Sequence, residues 1–317
     1  MMARVQHILL LARPIRLLAC AALLLLNAAA FGQAGKAGLA FLKLGVSGRG
    51  ISMGDAMSAS VSGGAATYYN PAGLLSEAAP GSTAQILLMH KEWIQDTQTD
   101  FLGTSVNLGE SNAFGISVNS TTTSDIEIRT QPGPAEGTFT ARNYAIGLSL
   151  AHRLSDDLLL GLTGKFLYQK ILVDETHGYG VDIGALYRTP VENLSIGAVV
   201  ANLGKMGALR TEDIVLPATL RLGGAYVASF ADSSEVVTLA GDLDHVFPEG
   251  HAYPSAGAEC VFNKIVAARA GYQFGSEGRG FSAGVGIQYG IIVFDYAYAP
   301  LTHDLGDTHT FSLALNF

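Results

Sequence analysis

The run Gly45-Val46-Ser47-Gly48-Arg49-Gly50 has the glycine density of a phosphate-wrapping loop. It lacks the Gly-Lys-Ser/Thr ending and the strand-then-helix frame such a loop needs, so close backbone packing is the better use of these glycines. Asp242 and Asp244 are two residues apart, which on a strand turns both carboxylates to one face and leaves His245 on the other. Paired acids serve acid–base chemistry or hold a cation, but two acids facing a wet lumen or a loop are the more ordinary arrangement. His303, Asp304, Asp307 and His309 gather near a turn at spacings that match no standard metal site. Cys260 stands alone and reads as a small apolar wall residue. With many serines and eight histidines, chance Ser-His-Asp pairings are certain and identify nothing. No catalytic, cofactor-binding or metal residue is assigned on these grounds, and no enzyme is expected. The cations Arg129, Arg142, Lys165, Arg221 and Arg269 are a separate matter, because their use depends on which way the elements that carry them face.

Composition narrows those elements. The 317 residues are 49% hydrophobic and 15% charged, with mean hydropathy +0.30 and 38 glycines, which excludes a disordered chain. Two cysteines exclude a disulfide scaffold, and a formal charge of -8 argues against a nucleic-acid partner, which needs a basic footprint. Only the first thirty residues approach the apolar run that a spanning helix requires. There Arg4, Arg13 and Arg16 precede Leu17–Leu26, and Ala28-Ala29-Ala30 follow, the order of a secretory signal peptide over residues 1–32. Cleavage after Ala30 or Gly32 fits best; an uncleaved anchor and a lipoprotein signal at Cys20 are the alternatives. Loss of the leader removes three arginines and leaves 16 basic against 27 acidic residues, with Cys260 the one remaining cysteine.

The exported chain alternates. Phe281, Ala283, Val285, Ile287 and Tyr289 fall on one face of a strand and Ser282, Gly284, Gly286 and Gln288 on the other. Segments of this kind between turn signals predict fourteen strands, near 82–92, 98–108, 112–122, 137–152, 157–172, 177–189, 192–202, 217–230, 235–246, 251–262, 264–275, 279–289, 290–300 and 307–317. Pro254 weakens the tenth. An even number of antiparallel strands suits a bacterial outer-membrane barrel. A soluble barrel would need a charged outer face, whereas the second face here is Gly, Ala and Ser, so the large apolar residues are expected to meet outer-membrane lipid. Closure is then obligatory, because a sheet edge in hydrocarbon leaves backbone groups unsatisfied. On this register Lys165 (with Thr163 and Gln169), Arg221, Arg269, Asp182 and Asp295 point into the lumen, with Leu159, Leu167, Ile265, Ile291 and Val293 as greasier interior residues. Trp93, Tyr168, Tyr187, Tyr226, Tyr272, Phe274, Tyr296 and Tyr298 are candidates for interfacial girdles. Turns are tight at 155–157, 263–264 and 276–278, and long polar connections run from Thr121 to Gly137 and from Gly204 to Leu216. Short turns are expected at one end and longer loops at the other.

Residues 33–80 do not alternate, carry five charges and are rich in Gly, Ala and Ser, so they are expected to fill the barrel (81–317) as a plug, with a short helix near Gly54–Ser60. Gly38–Ala56 together with Ala65-Ala66-Thr67-Tyr68-Tyr69-Asn70-Pro71-Ala72-Gly73-Leu74 resembles the N-terminus of the PorV/PorQ family of outer-membrane proteins. Leu216–Gly223, Ala268–Tyr272, Asp295–Tyr298 and Leu305–His309 resemble that family's C-terminal half. The resemblance implies kinship with the FadL group of hydrophobic-compound transporters, fourteen-stranded barrels whose N-terminal hatch carries the same Asn-Pro-Ala motif, so that Asn70, Pro71, Ala72 and Gly73 are expected to be the hatch motif here. It also implies that Phe317, with Phe311, Leu313 and Leu315 in register, is the signal read by the barrel-assembly machinery.

Two functions fit. The family resemblance implies a role with the type IX secretion machinery of a Gram-negative outer membrane, its loops capturing secreted proteins or accessory subunits. The kinship with fatty-acid channels implies instead that a hydrophobic small molecule enters from outside, passes the hatch and leaves sideways or inward. The secretion-linked role is the first expectation and transport the second.

Overall fold

A computed structural model describes residues 37–76, 78–94, 96–229, 235–276, 278–302 and 305–317. The expected signal peptide lies outside the described residues. Fourteen strands form one closed antiparallel barrel in which each pairs with its sequence neighbours and β1 pairs with β14. They are β1 Ala84–Glu92, β2 Thr97–Leu108, β3 Asn112–Ile128, β4 Gly137–Arg153, β5 Leu158–Ile171, β6 Asp174–Arg188, β7 Leu194–Met206, β8 Thr219–Ser229, β9 Val236–Val246, β10 His251–Phe262, β11 Val266–Gln273, β12 Phe281–Tyr289, β13 Ile292–Pro300 and β14 Asp307–Asn316. Pro254 is accommodated in β10 because it pairs beyond the end of β11, where its carbonyl accepts the Phe274 N–H at 2.7 Å.

The barrel is apolar outside and polar inside. Leu148, Phe166, Ile183, Val285 and Ile287 are each at least half exposed, whereas Ser149, Thr163, Asp182 and Thr310 are fully buried. Only a lipid surround makes that arrangement favourable, since the same exterior in water would leave a continuous apolar belt unburied. Tyr187, Tyr226, Tyr289 and Phe317 mark the outside at the end where β1 begins and β14 stops, here the terminal end. Tyr179, Tyr272 and Phe274 mark it at the opposite, loop end. Trp93 instead turns inward and packs with Leu39, Phe41, Leu42, Leu44, Leu167 and Met206.

Three expectations are corrected. Ile265 and Ile291 are about half exposed in turns, not in the lumen; Asn263 and Lys264 adopt positive φ ahead of Ile265 and reset the alternation. The loop end is not uniformly long, for residues 172–173 suffice to join β5 to β6, and the connection from β11 to β12 lies at that end too. The polar stretch after Thr121 is mostly strand, because β3 continues to Ile128 through a bulge between Thr123 and Ile126.

Residues 38–75 run inside the barrel from the loop end, where Gly38 N–H bonds Val215 O at 2.9 Å, to the terminal end. The helical pieces are short: Gly48–Ser52 and Ala66–Tyr69 are α-helical, Ala40–Lys43, Gly63–Ala65 and Pro71–Leu75 are 3₁₀. The helix expected at Gly54–Ser60 is displaced to Gly48–Ser52, whose N-cap Ser47 accepts the Gly50 N–H. Residues 54–60 turn instead, because the amides of Met57 and Ser58 are taken by Asp242 at 3.0 and 2.8 Å and are lost to any helix.

Candidate functional site

The Asn70-Pro71-Ala72-Gly73 motif is a latch built from backbone accounting. Asn70 is fully buried and caps the Pro71–Leu75 turn, its Oδ1 accepting the Ala72 N–H at 3.1 Å. Pro71 follows at the first helical position, where its missing N–H costs nothing. The Asn70 carboxamide donates to Ser58 O at 2.7 Å and to Ala185 O of β6 at 3.0 Å, which ties the turn both to the plug and to the wall. The wall meets it with glycines: a Cβ at Gly161 would collide with Pro71 and Ala72, and one at Gly184 with Asn70 and Pro71.

Charged lumen residues anchor the rest of the plug. Arg269 bonds Glu259 at 2.5 Å and Asp295 at 2.7 Å, and Arg49 of the plug reaches the same Glu259 at 2.9 Å. Burial pulls the Arg49 pKa down, and the Glu259 charge, the Glu259 hydrogen bond and the Asp295 charge together outweigh it, so the net shift is upward. Lys165 pairs with Asp182 at 2.6 Å and donates to Asn202 Oδ1 at 2.7 Å, a contact that holds the wall together and does not touch the plug. Arg221 lies 3.5 Å from Asp244, stands over the Tyr68 ring at 5.0 Å and donates to the Tyr68 carbonyl at 3.3 Å. Burial pushes the Tyr68 hydroxyl up to about 12, and burial followed by Asp55 pushes Tyr69 well up. Asp242, half of the sequence's acid pair, accepts both plug amides on one carboxylate oxygen, Oδ2.

Sequence reading missed Lys43, Arg49, Asp55, Glu249, Glu259 and Arg279. Lys43 pairs with Glu249, and Arg279 with Asp55 at 3.0 Å. The available signal for Glu259 was parity, since it shares the inward face of β10 with Ser255 and Gly257. The Gly45–Gly50 amides are used internally, Val46 by the Tyr69 hydroxyl and Gly48 by Ser312. His303 and Asp304 lie outside the described residues, and His309 Nδ1 is engaged by the Tyr296 hydroxyl at 2.8 Å. Phe311, Leu313 and Phe317 face outward on or next to the closing strand β14, and the Phe317 backbone bonds Thr83 and Ala84.

Among the described strands the ladder is interrupted at β3–β4 near Thr123, at β6–β7 where Asp182 Oδ1 takes the Asn202 N–H, and at a seam in β2–β3 beside the plug. Between the pairs Gly103↔Ser117 and Val106↔Phe114 two positions of the β2–β3 ladder are unpaired, although the register is the same on both sides. There the Thr104 hydroxyl takes the Ile116 N–H at 2.9 Å and reaches the Ile116 carbonyl at 3.2 Å, standing in for the backbone of its own strand. On the inside, Gly64 lies against Gly103, and a Cβ on Gly115 would meet Thr67 and Leu74 within 3.0 Å. On the outside, a groove of about 520 Å³ crosses the lipid-facing surface, lined by Leu88, Leu102, Val118, Phe294, Phe311 and Leu313. At the loop end Leu39, Phe41, Leu42 and Leu44 of the plug pack into a buried apolar cluster with Leu167, Met206 and Leu216 of the wall and its loops.

No family model matches the chain, and no curated protein matches it. Solved structures do. The Ralstonia pickettii toluene transporter TbuX superposes with TM-score 0.59 at 15% identity, covering 86% of this chain and 98% of that one. The monoaromatic hydrocarbon channel CymD gives 0.62 at 14% identity over 86% and 98%. A Pseudomonas aeruginosa FadL homologue gives 0.53 at 11% identity over 86% and 98%. At these identities the likeness establishes the architecture: the chain has the fold of a fourteen-stranded, FadL-like barrel.

Proposed function

We propose that this protein is an outer-membrane channel of a Gram-negative bacterium that passes a small hydrophobic compound from its loop end, past the plug, to the wall at β2–β3. The seam at Thr104–Ile116 carries the reading. A pair of strands bridged there by one rotatable hydroxyl separates more easily than one zipped by backbone bonds, and it lies against the plug at Gly103 and Gly115, next to an apolar lipid-facing groove that begins at Leu102 and Val118. The solved barrels of like fold described as toluene transporters or hydrocarbon channels support the same choice. The secretion-linked role rests on the sequence resemblance alone.

The test is uptake of labelled toluene and of a labelled long-chain fatty acid by cells that lack their own route, with and without this chain in the outer membrane. Faster uptake of either supports transport. Uptake equal to the empty control for both, with secreted proteins lost from the surface of the parent organism on gene deletion, would replace this function with the secretion-linked one.

A further inference from the structure

Near the loop end, a second cavity of about 40 Å³ lies between the plug and the β11–β14/β1 wall. Its volume holds a small ion or a few waters and falls far short of the roughly 300 Å³ that an organic ligand takes. It is lined by Lys91, Arg279, Asp55, Gln273, Ser282 and Thr308 among apolar neighbours that include Leu44 and Trp93.

The charge count there does not balance. Both oxygens of Asp55 are engaged, Oδ1 by the Tyr69 hydroxyl at 2.7 Å and Oδ2 by Arg279 at 3.0 Å. Arg279 spends its other terminal nitrogen on Lys43 O at 3.3 Å. Lys91 is 5% exposed and donates to one neutral acceptor, Gly45 O, at 3.0 Å. Among the described residues no carboxylate comes within ion-pair distance of it. An ammonium carries three donors, so two remain. Ser282, 4% exposed, has a hydroxyl with no partner, and Gln273, 8% exposed, has a carboxamide oxygen with none. Thr308 bonds Ala299 O at 2.9 Å and is spent. A buried cation without a counter-charge is costly, and the donors left over belong to groups that border one cavity.

We propose that this cavity is a binding site for a chloride-sized monovalent anion, held by the Lys91 ammonium and the Ser282 hydroxyl, with a water completing Gln273. The site is independent of the transported compound, being too small to hold one, and it would fasten the Gly45 turn of the plug to β1 and β12.

The full-length protein in detergent, crystallised from bromide, tests it. An anomalous peak within about 3.5 Å of Lys91 Nζ is expected, and the peak should vanish in Lys91→Met. In solution, exchanging chloride for gluconate at constant ionic strength should lower the unfolding temperature of the parent protein and leave that of Lys91→Met unchanged. Water density alone in the cavity, or an equal chloride dependence in parent and Lys91→Met, would overturn the proposal. Ser282→Ala, which removes one donor and little volume, should weaken the chloride response without abolishing it, and a response fully preserved there would remove Ser282 from the site.

Discussion

Replacing Asn70 with alanine should unlatch the plug without removing a charge. Three hydrogen bonds disappear: the cap on Ala72 N–H and the donations to Ser58 O and Ala185 O, all at a fully buried position. Loss of a cap costs about 1 kcal/mol, and each buried carbonyl left unpaired costs roughly 1 kcal/mol more, about 3 kcal/mol together. That corresponds to roughly a hundredfold rise in the population with the plug undocked. The population can be read from the labelling rate of a buried plug thiol. Ser58→Cys is a near-isosteric probe, 1% exposed, once Cys260→Ser has removed the background thiol. A water-soluble maleimide should modify the probe about a hundred times faster with Asn70→Ala than without it. Asn70→Asp keeps the acceptor for Ala72 but sets a carboxylate against two carbonyls, so it should label at least as fast as Asn70→Ala. A labelling rate in Asn70→Ala within threefold of the parent, or an Asn70→Asp plug tighter than the alanine variant, would refute the latch.

Two further outcomes follow from the lumen. Lys165→Met strips the counter-charge from a fully buried Asp182 and should cost about 3–5 kcal/mol; Arg49→Met leaves Glu259 paired with Arg269 and should cost clearly less, an order readable from the temperature at which each barrel loses its heat-modifiable gel migration. The raised hydroxyls of Tyr68 and Tyr69 stabilise the docked plug at every pH below about 10, and that contribution is lost as pH rises through their folded values, about 12 for Tyr68. Absorbance near 295 nm should show these two of the 12 tyrosines titrating last, with Ser58→Cys labelling accelerating in step.

The strand count was legible because each wall residue faces lipid or lumen, and that dichotomy writes a period of two into the sequence. Where the second environment is missing, legibility fails. Ile265 and Ile291 look like continuations of alternation but sit in turns that face neither. Plug structure was illegible for another reason: Met57 and Ser58 refuse a helix because of Asp242, 185 and 184 residues away. Lumen charges Lys165, Asp182, Arg221, Arg269 and Asp295 could be oriented by parity, yet their division of labour could not. Lys165–Asp182 braces wall to wall, while Arg269–Asp295 shares Glu259 with the plug. The seam left no trace at all in the pattern, for Thr104 is an unremarkable strand residue until its hydroxyl is seen in the ladder.

Passage through that seam is the central claim, and a reversible crosslink tests it most directly. Thr104 and Ile116 face each other in the continuing β2–β3 register, the placement a cross-strand disulfide requires. In the Cys260→Ser background, Thr104→Cys with Ile116→Cys should abolish uptake of the hydrophobic compound when oxidised and restore it on reduction, with each single cysteine variant indifferent to redox state. Equal uptake in the oxidised and reduced double variant, with the disulfide verified by mass spectrometry, would contradict a route through the β2–β3 wall.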